Sequence, residues 1–122
     1  MRIIGIGIDL CKNIRMHKIL ENKNIRERFL EKVLHPNEKI KEINSKYLAS
    51  RWAIKEALVK ATASRRILFH EVEICKQESG QPYIRAYGET KNLLEEIGVE
   101  NTMMSLSHED EYSVAVVIAI GN

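Results

Sequence analysis

Hydrophobic and polar positions alternate strictly from Arg2 to Leu10, with Ile4, Ile6, Ile8 and Leu10 on one face and Ile3, Gly5, Gly7 and Asp9 on the other. A period of two predicts a half-buried strand. Glycines within it mark a place where another backbone or a ligand comes close. From Cys11 to Leu20 the spacing becomes helical, with Ile14, Ile19 and Leu20 set among basic residues. Ile25, Phe29, Val33 and Leu34 predict a second helix, and His35-Pro36 ends it because the residue before a proline avoids the helical region. Ile40 and Ile43 fit another short helical turn, and the longest helix is predicted from Ser45 to Ala61. Thereafter strands dominate. Val72 and Ile74 alternate with Glu71, Glu73 and Cys75, Ser79-Gly80-Gln81-Pro82 is a turn, and Tyr83 to Tyr87 is the return strand. Thr90 to Ile97 is a short helix with Gly98 as its C-terminal cap. Thr102 to His108 and Tyr112 to Ile120 pair around Glu109-Asp110-Glu111, and the last strand, apolar on both faces, is placed centrally in its sheet. No repeat, low-complexity tract or linker interrupts the pattern. The expected fold is α+β, a single domain over residues 1–122 with an antiparallel-rich sheet packed on the long helix.

Composition narrows the function classes. The chain has 122 residues, 44% hydrophobic and 30% charged, which is enough to bury a core and excludes a disordered tail. Nineteen Lys+Arg are nearly balanced by 17 Asp+Glu, and aromatic residues make up only 6% without a basic stretch between them. That argues against nucleic-acid binding by a basic stripe or a stacking platform. The longest wholly apolar run, Val114 to Ile120, has strand length rather than the roughly 20 residues of a membrane span. Asp9 arrives before any signal-peptide core forms, and Cys11 and Cys75 make neither a disulfide framework nor a metal pair. A soluble protein of a reducing cytoplasm is expected.

Three segments carry candidate chemistry. On the long helix, Ala49, Trp52, Glu56, Val59, Lys60 and Ala63 share one side, and Ser50, Ala53, Ile54, Ala57 and Ala61 form an adjoining side of mostly small residues that lets another element pack closely. Glu56 and Lys60 are either an ordinary i, i+4 pair or two charges held for a ligand, since burying either is costly unless it is paired or coordinates something. Asp9 reads as a helix N-cap or as a metal ligand at the end of the glycine face. Ser105-Leu106-Ser107-His108 reads as a polar strand end or as a set of ligand contacts, and the absence of a nucleophile elbow argues against a serine hydrolase. His17, His35 and His70 lack the spacing of zinc ligands.

In order and spacing, Gly5-Ile6-Gly7-Ile8-Asp9-Leu10, the run Trp52-Ala53-Ile54-Lys55-Glu56-Ala57-Leu58-Val59-Lys60-Ala61, and Ser105-Leu106-Ser107-His108-Glu109 resemble the bacterial holo-acyl-carrier-protein synthases, the short type of 4′-phosphopantetheinyl transferase. Phe29 to Leu34 with Glu38 is similar to the family's segment between the first two motifs, and Gly80-Gln81-Pro82-Tyr83 to its glycine-proline turn, so the resemblance covers nearly the whole chain. One stretch departs: where the family carries a Gly-Thr-Gly-like loop, this chain reads Thr62-Ala63-Ser64-Arg65-Arg66-Ile67. The resemblance implies transfer of phosphopantetheine from coenzyme A to a serine of an acyl carrier protein, with Mg²⁺ held by Asp9 and Glu56. It implies that Lys60 contacts the pyrophosphate and that Glu56, or a metal-bound water beside it, takes the serine proton. Ser107 and His108, helped by Arg51, are implied to contact the nucleotide part of coenzyme A. In the altered loop, Arg65 and Arg66 are either phosphate contacts in place of the family's loop or simply solvated. Arg15, Met16 and Arg26 are implied to bind the carrier protein, and the assembly to be a homotrimer with sites between subunits. Another Mg²⁺-dependent phosphotransfer enzyme and a small RNA-binding module are the rival readings.

Overall fold

A computed structural model describes residues 1–122. In chain order the elements are β1 (Arg2–Lys12), α1 (Asn13–Glu21), α2 (Arg26–Val33), a 3₁₀ turn (Pro36–Glu38), α3 (Ser45–Thr62), a second 3₁₀ turn (Phe69–Glu71), β2 (Val72–Lys76), β3 (Pro82–Ala86), α4 (Gly88–Ile97), β4 (Asn101–His108) and β5 (Tyr112–Gly121). β5 lies between β1 and β4 in an antiparallel three-stranded sheet, and β2 and β3 form a separate hairpin. The central place of β5 follows from its two apolar faces, as expected. Two expectations shift. β1 continues through Cys11 and Lys12, so α1 starts two residues late, and the Ile40–Ile43 region is irregular, with Ile40 exposed.

α3 packs on the inner face of the sheet, and the contact is made by small residues. A Cβ on Gly7 would overlap the Ala57 carbonyl oxygen and stand 2.7 Å from the Ala61 nitrogen, and one on Gly5 would overlap the Ala61 carbonyl oxygen. The glycines therefore admit the backbone of α3. Opposite them, Ala115, Val117 and Ala119 of β5 are buried on the same side. Gly7→Ala is expected to force strand and helix apart at a cost of about 1–3 kcal/mol, read as a lower urea midpoint with an unchanged slope. A midpoint equal to the parent's would contradict this packing.

The other face of β1 is the surprising one. An irregularity between Ile3 and Gly5 puts Ile3 in line with Ile6, Ile8 and Leu10, and these four are 58–65% exposed. Across the ladder they meet Ile120, Ile118, Val116 and Val114 of β5, and Met103 of β4, 59% exposed, extends the row. The isoleucines of β1 thus face outward, while its glycines and the alanines of β5 face inward.

After α3 the chain turns at Ala63, the one non-glycine residue with positive φ (+52°). This turn opens the stretch, Thr62 to Ile67, in which the chain departs from the Gly-Thr-Gly-like loop of the family it resembles. An alanine in the left-handed region costs about 1–2 kcal/mol, and the backbone still closes the helix, with the Ala63 and Ser64 N–H groups bonding back to the Lys60 and Val59 carbonyls.

Candidate active site

Asp9 lies mid-strand in β1, three residues before the Lys12 cap of α1, so it caps no helix. It shares the inward face with Gly5 and Gly7. Two strand residues advance about 6.7 Å and four helix residues about 6 Å. The contacts of Gly5 with Ala61 and of Gly7 with Ala57 therefore continue to place Asp9 beside the turn of α3 that precedes Ala57. Glu56 belongs to that turn. Lys60, one turn further on, donates from Nζ to the Ile8 carbonyl at 2.9 Å and to Asp9 Oδ1 at 3.2 Å. The Asp9 and Glu56 side chains are mostly covered (16% and 20% exposed), while Lys60 is half open at 48%. Lys60 is thus paired with the strand carboxylate across the seam, in place of an i, i+4 pair with Glu56. The cation nearest Glu56 is Arg65, at 3.9 Å and itself exposed. Arg66 pairs with Glu96 on the surface.

A second cluster lies at the N-terminal half of α3. The Arg51 guanidinium stacks 4.0 Å over the Tyr47 ring and donates to Ser50 Oγ at 3.2 Å. Its Nε is buried, without a hydrogen-bond partner, 3.9 Å from Glu38 Oε2. Arg51 borders a pocket of about 260 Å³ whose other walls include the Gly80–Pro82 turn and Met104, Ser105 and Leu106 of β4. His108 ends β4 with Nδ1 3.3 Å from Ser113 Oγ, and burial, with Lys46 and Arg51 nearby, holds its pKa below the ordinary histidine value. Ser107 and His108 do not share a face. Ser107 pairs with Val114 on the outer apolar side, and His108 with the buried Ser113 on the inner side.

The carrier-binding expectation needs a correction. Met16 is wholly buried in the core, because the helical turn that exposes Arg15 points the next residue inward, so it offers no partner an apolar contact. The exposed apolar residue of α1 is Ile14. Arg15 lies 4.9 Å over the Trp52 ring, and Arg26 is held by the Leu20 carbonyl and Glu27.

Sequence reasoning missed the one fully buried charge on α3. Lys55 is 0% exposed and donates to the carboxylate of Glu38 and to the carbonyls of Val33 (2.7 Å) and Phe69 (3.1 Å). Burial pulls its pKa down to about 8, against the opposing pull of Glu38. Glu38 in turn accepts from the backbone N–H of His35 (2.9 Å) and Ile74 (3.0 Å). One ion pair thus ties α2, both 3₁₀ turns, α3 and β2 together. A signal was available. Lys55 stands seven residues from both Leu48 and Thr62 and three from Leu58, on a buried stripe of the helix.

Comparison with known proteins gives the same family. The 4′-phosphopantetheinyl transferase superfamily profile matches residues 5–117. A holo-[acyl-carrier-protein] synthase of Halothermothrix orenii is 37% identical, over 95% of this chain and 96% of its own. The crystal structure of the holo-ACP-synthase from Plasmodium yoelii superposes with a TM-score of 0.86 at 31% identity, covering 99% of this chain and 97% of that one. The Helicobacter pylori holo-[acyl-carrier-protein] synthase, solved in complex with coenzyme A, superposes with a TM-score of 0.78 at 29% identity, over 94% of this chain and 99% of that one. With its motifs, fold and full-length relatives in agreement, the chain belongs to the 4′-phosphopantetheinyl transferase superfamily, among the holo-[acyl-carrier-protein] synthases.

Proposed function

We infer that this protein transfers the 4′-phosphopantetheine arm of coenzyme A to a serine of an apo-acyl carrier protein and releases 3′,5′-ADP. The observation that carries this reading is the bond from Lys60 to Asp9 across the β1–α3 seam, with the mostly covered Glu56 one turn before Lys60 on α3, in a chain from this family. The coenzyme A complex of the Helicobacter pylori relative supports the same donor.

The residues present suit Mg²⁺. Asp9 and Glu56 supply oxygen donors only, from two rigid elements, and Mg²⁺ is ordinarily held by one or two carboxylates together with substrate phosphates and water. When bound, the ion neutralises charge on the pyrophosphate oxygens. Phosphoryl transfer otherwise asks the protein for positioning and charge. Lys60, half exposed, can leave Asp9 and turn its ammonium to the pyrophosphate, where it stabilises the charge that develops on the departing nucleotide. Glu56 accepts the proton of the incoming serine, directly or through a neighbouring water. Arg51, at the pocket beside the Gly80–Pro82 turn, and His108, at the end of β4, receive the nucleotide part of the coenzyme. The nucleophile comes from the carrier protein.

Ser107 fits this scheme through self-association. It stands on the outer sheet face with Leu10, Val114 and the exposed isoleucines, a surface suited to copies of the same chain. In a homotrimer closed by that face, Ser107 serves a site at the border between subunits. The reading places the protein in the cytoplasm, where the unpaired Cys11 and Cys75 stay reduced.

Release of 3′,5′-ADP from coenzyme A is expected to require both Mg²⁺ and apo-carrier protein. Release that persists with the carrier omitted would point to a different phosphotransfer or hydrolysis. The carrier is expected to dock on the exposed basic side chains Lys12, Arg15 and Lys18, with Arg26 beside them. Such charges act mainly on association. Arg15→Glu is expected to raise the KM for carrier about fivefold or more at low salt, without changing the KM for coenzyme A. An unchanged carrier KM at low ionic strength would return α1 to an ordinary solvated face.

A further inference from the structure

Behind His108 lies a short polar relay with a fixed direction. Asn13, at the start of α1, is buried, and its Nδ2 donates to the carbonyls of Glu109 (3.3 Å) and Asp110 (3.0 Å). Those two carbonyls set the orientation of the amide and turn Oδ1 to Ser113, whose Oγ is 3.0 Å away and wholly buried. An amide oxygen only accepts, so the Ser113 hydroxyl hydrogen is spent on it. Ser113 Oγ then has only lone pairs to offer His108 Nδ1 at 3.3 Å, and Nδ1 must carry the hydrogen. A neutral His108 therefore presents a bare lone pair at Nε2. The charged groups acting on this ring are Lys46 and Arg51 of α3, both cationic, while β5 contributes only the Ser113 hydroxyl.

A lone pair repels a phosphate oxygen, whereas a protonated Nε2 donates to it. We propose that Asn13 and Ser113 are positioning residues for the transfer reaction: they hold His108 as its Nδ1–H tautomer, so that a phosphate of the coenzyme is received at Nε2 together with a proton taken up from solvent. This rests on the reading that His108 contacts the nucleotide. The proton arrives on binding and leaves when 3′,5′-ADP departs. In the bound state both ring nitrogens donate, Nδ1 to Ser113 and Nε2 to the phosphate, which locks the ring plane.

Long-range imidazole nitrogen–proton NMR on the full-length protein tests the relay without any variant. Free of ligand and above its titration, His108 is expected to show the Nδ1–H tautomer, and an Nε2–H tautomer overturns the proposal. Saturation with 3′,5′-ADP is expected to protonate Nε2, and a His108 that contacts the ligand yet stays neutral also overturns it. Ser113→Ala is expected to release the tautomer toward Nε2–H. The same variant should raise the KM for coenzyme A about tenfold, with kcat and the carrier KM unchanged, a split that general loosening of the fold does not produce. An unaltered tautomer in a folded Ser113→Ala protein contradicts the relay. If His108→Ala leaves the KM for coenzyme A unchanged and 3′,5′-ADP moves no His108 resonance, the nucleotide reading of His108 has failed, and the proposal with it. The ligand-free tautomer separates that failure from a failure of the relay.

Discussion

Replacing Asp9 or Glu56 by alanine is expected to lower Mg²⁺-dependent transfer by about 10²–10³-fold while the fold survives. Both side chains are mostly covered, Asp9 on β1 with Lys60, half exposed, beside it, and Glu56 on α3 with the exposed Arg65 3.9 Å away. Neither pair is a strong structural link. An ion pair with a half-exposed lysine is worth about 0–1 kcal/mol, so the loss of Asp9 should barely move the urea midpoint. Lys60→Ala is expected to lower kcat while leaving the Mg²⁺ concentration for half-maximal activity nearly unchanged. Wild-type turnover of either carboxylate variant at limiting Mg²⁺ would remove the metal assignment. The same pair of variants tests the assembly. If the sites lie between subunits and draw Asp9 and Glu56 from different copies, mixing the two inactive proteins should restore part of the activity once subunits have exchanged. No recovery after verified exchange would place both ligands within one chain.

Lys55→Met is expected to destabilise the protein by about 3–5 kcal/mol, because it leaves the buried Glu38 carboxylate without the ammonium hydrogen-bonded to it, with only Arg51 3.9 Å away. The environment sets this cost. Glu38 is 2% exposed and Lys55 is fully enclosed, and the Val33 and Phe69 carbonyls lose a donor at the same time. Glu38→Gln should be comparably harmful for the mirror reason. The double variant Glu38→Gln/Lys55→Met is expected to cost clearly less than the sum of the singles, since the hydrogen-bonded pair is then removed together and neither of its members is left buried without the other. Strictly additive urea-unfolding energies would mean the two side chains do not interact. The pH dependence has a defined sign. The folded protein releases the Lys55 proton near 8, whereas an unfolded lysine holds its proton to about 10.4, so between these values the unfolded chain binds more protons. The contribution of this group to stability therefore rises with pH across that interval, and the rise should vanish in the double variant.

The elements along the chain were legible because periodicity switches cleanly between two and 3.6, and the Gly98 cap with its φ of +93° is where the pattern put it. The small-residue side of α3 also announced a close neighbour. What alternation alone did not reveal is which face of β1 turns inward. Its isoleucine face is the more hydrophobic, yet the glycine face is buried, because α3 approaches until its carbonyls leave no room for a Cβ. That choice is made by a helix fifty residues away. The candidate site was proposed as a set of positions, since the order of Asp9, Glu56, Lys60 and His108 along the chain resembles the family's motifs. Its internal pairing was not readable. Lys60 bonds across the seam to Asp9, and the buried partner of Lys55 lies seventeen residues upstream in a 3₁₀ turn. Met16 misled for a related reason: among basic neighbours it looks like part of their surface, and one residue along a helix turns a side chain about 100°, here from solvent to core.

The most direct test of the inferred transfer is the intact mass of a purified apo-acyl carrier protein after incubation with coenzyme A, Mg²⁺ and this protein. The expected result is a carrier heavier by one phosphopantetheine group, with the gain abolished by chelation and by replacing the acceptor serine of the carrier. A carrier of unchanged mass, under conditions in which a holo-[acyl-carrier-protein] synthase of established activity modifies it fully, would contradict the inferred function.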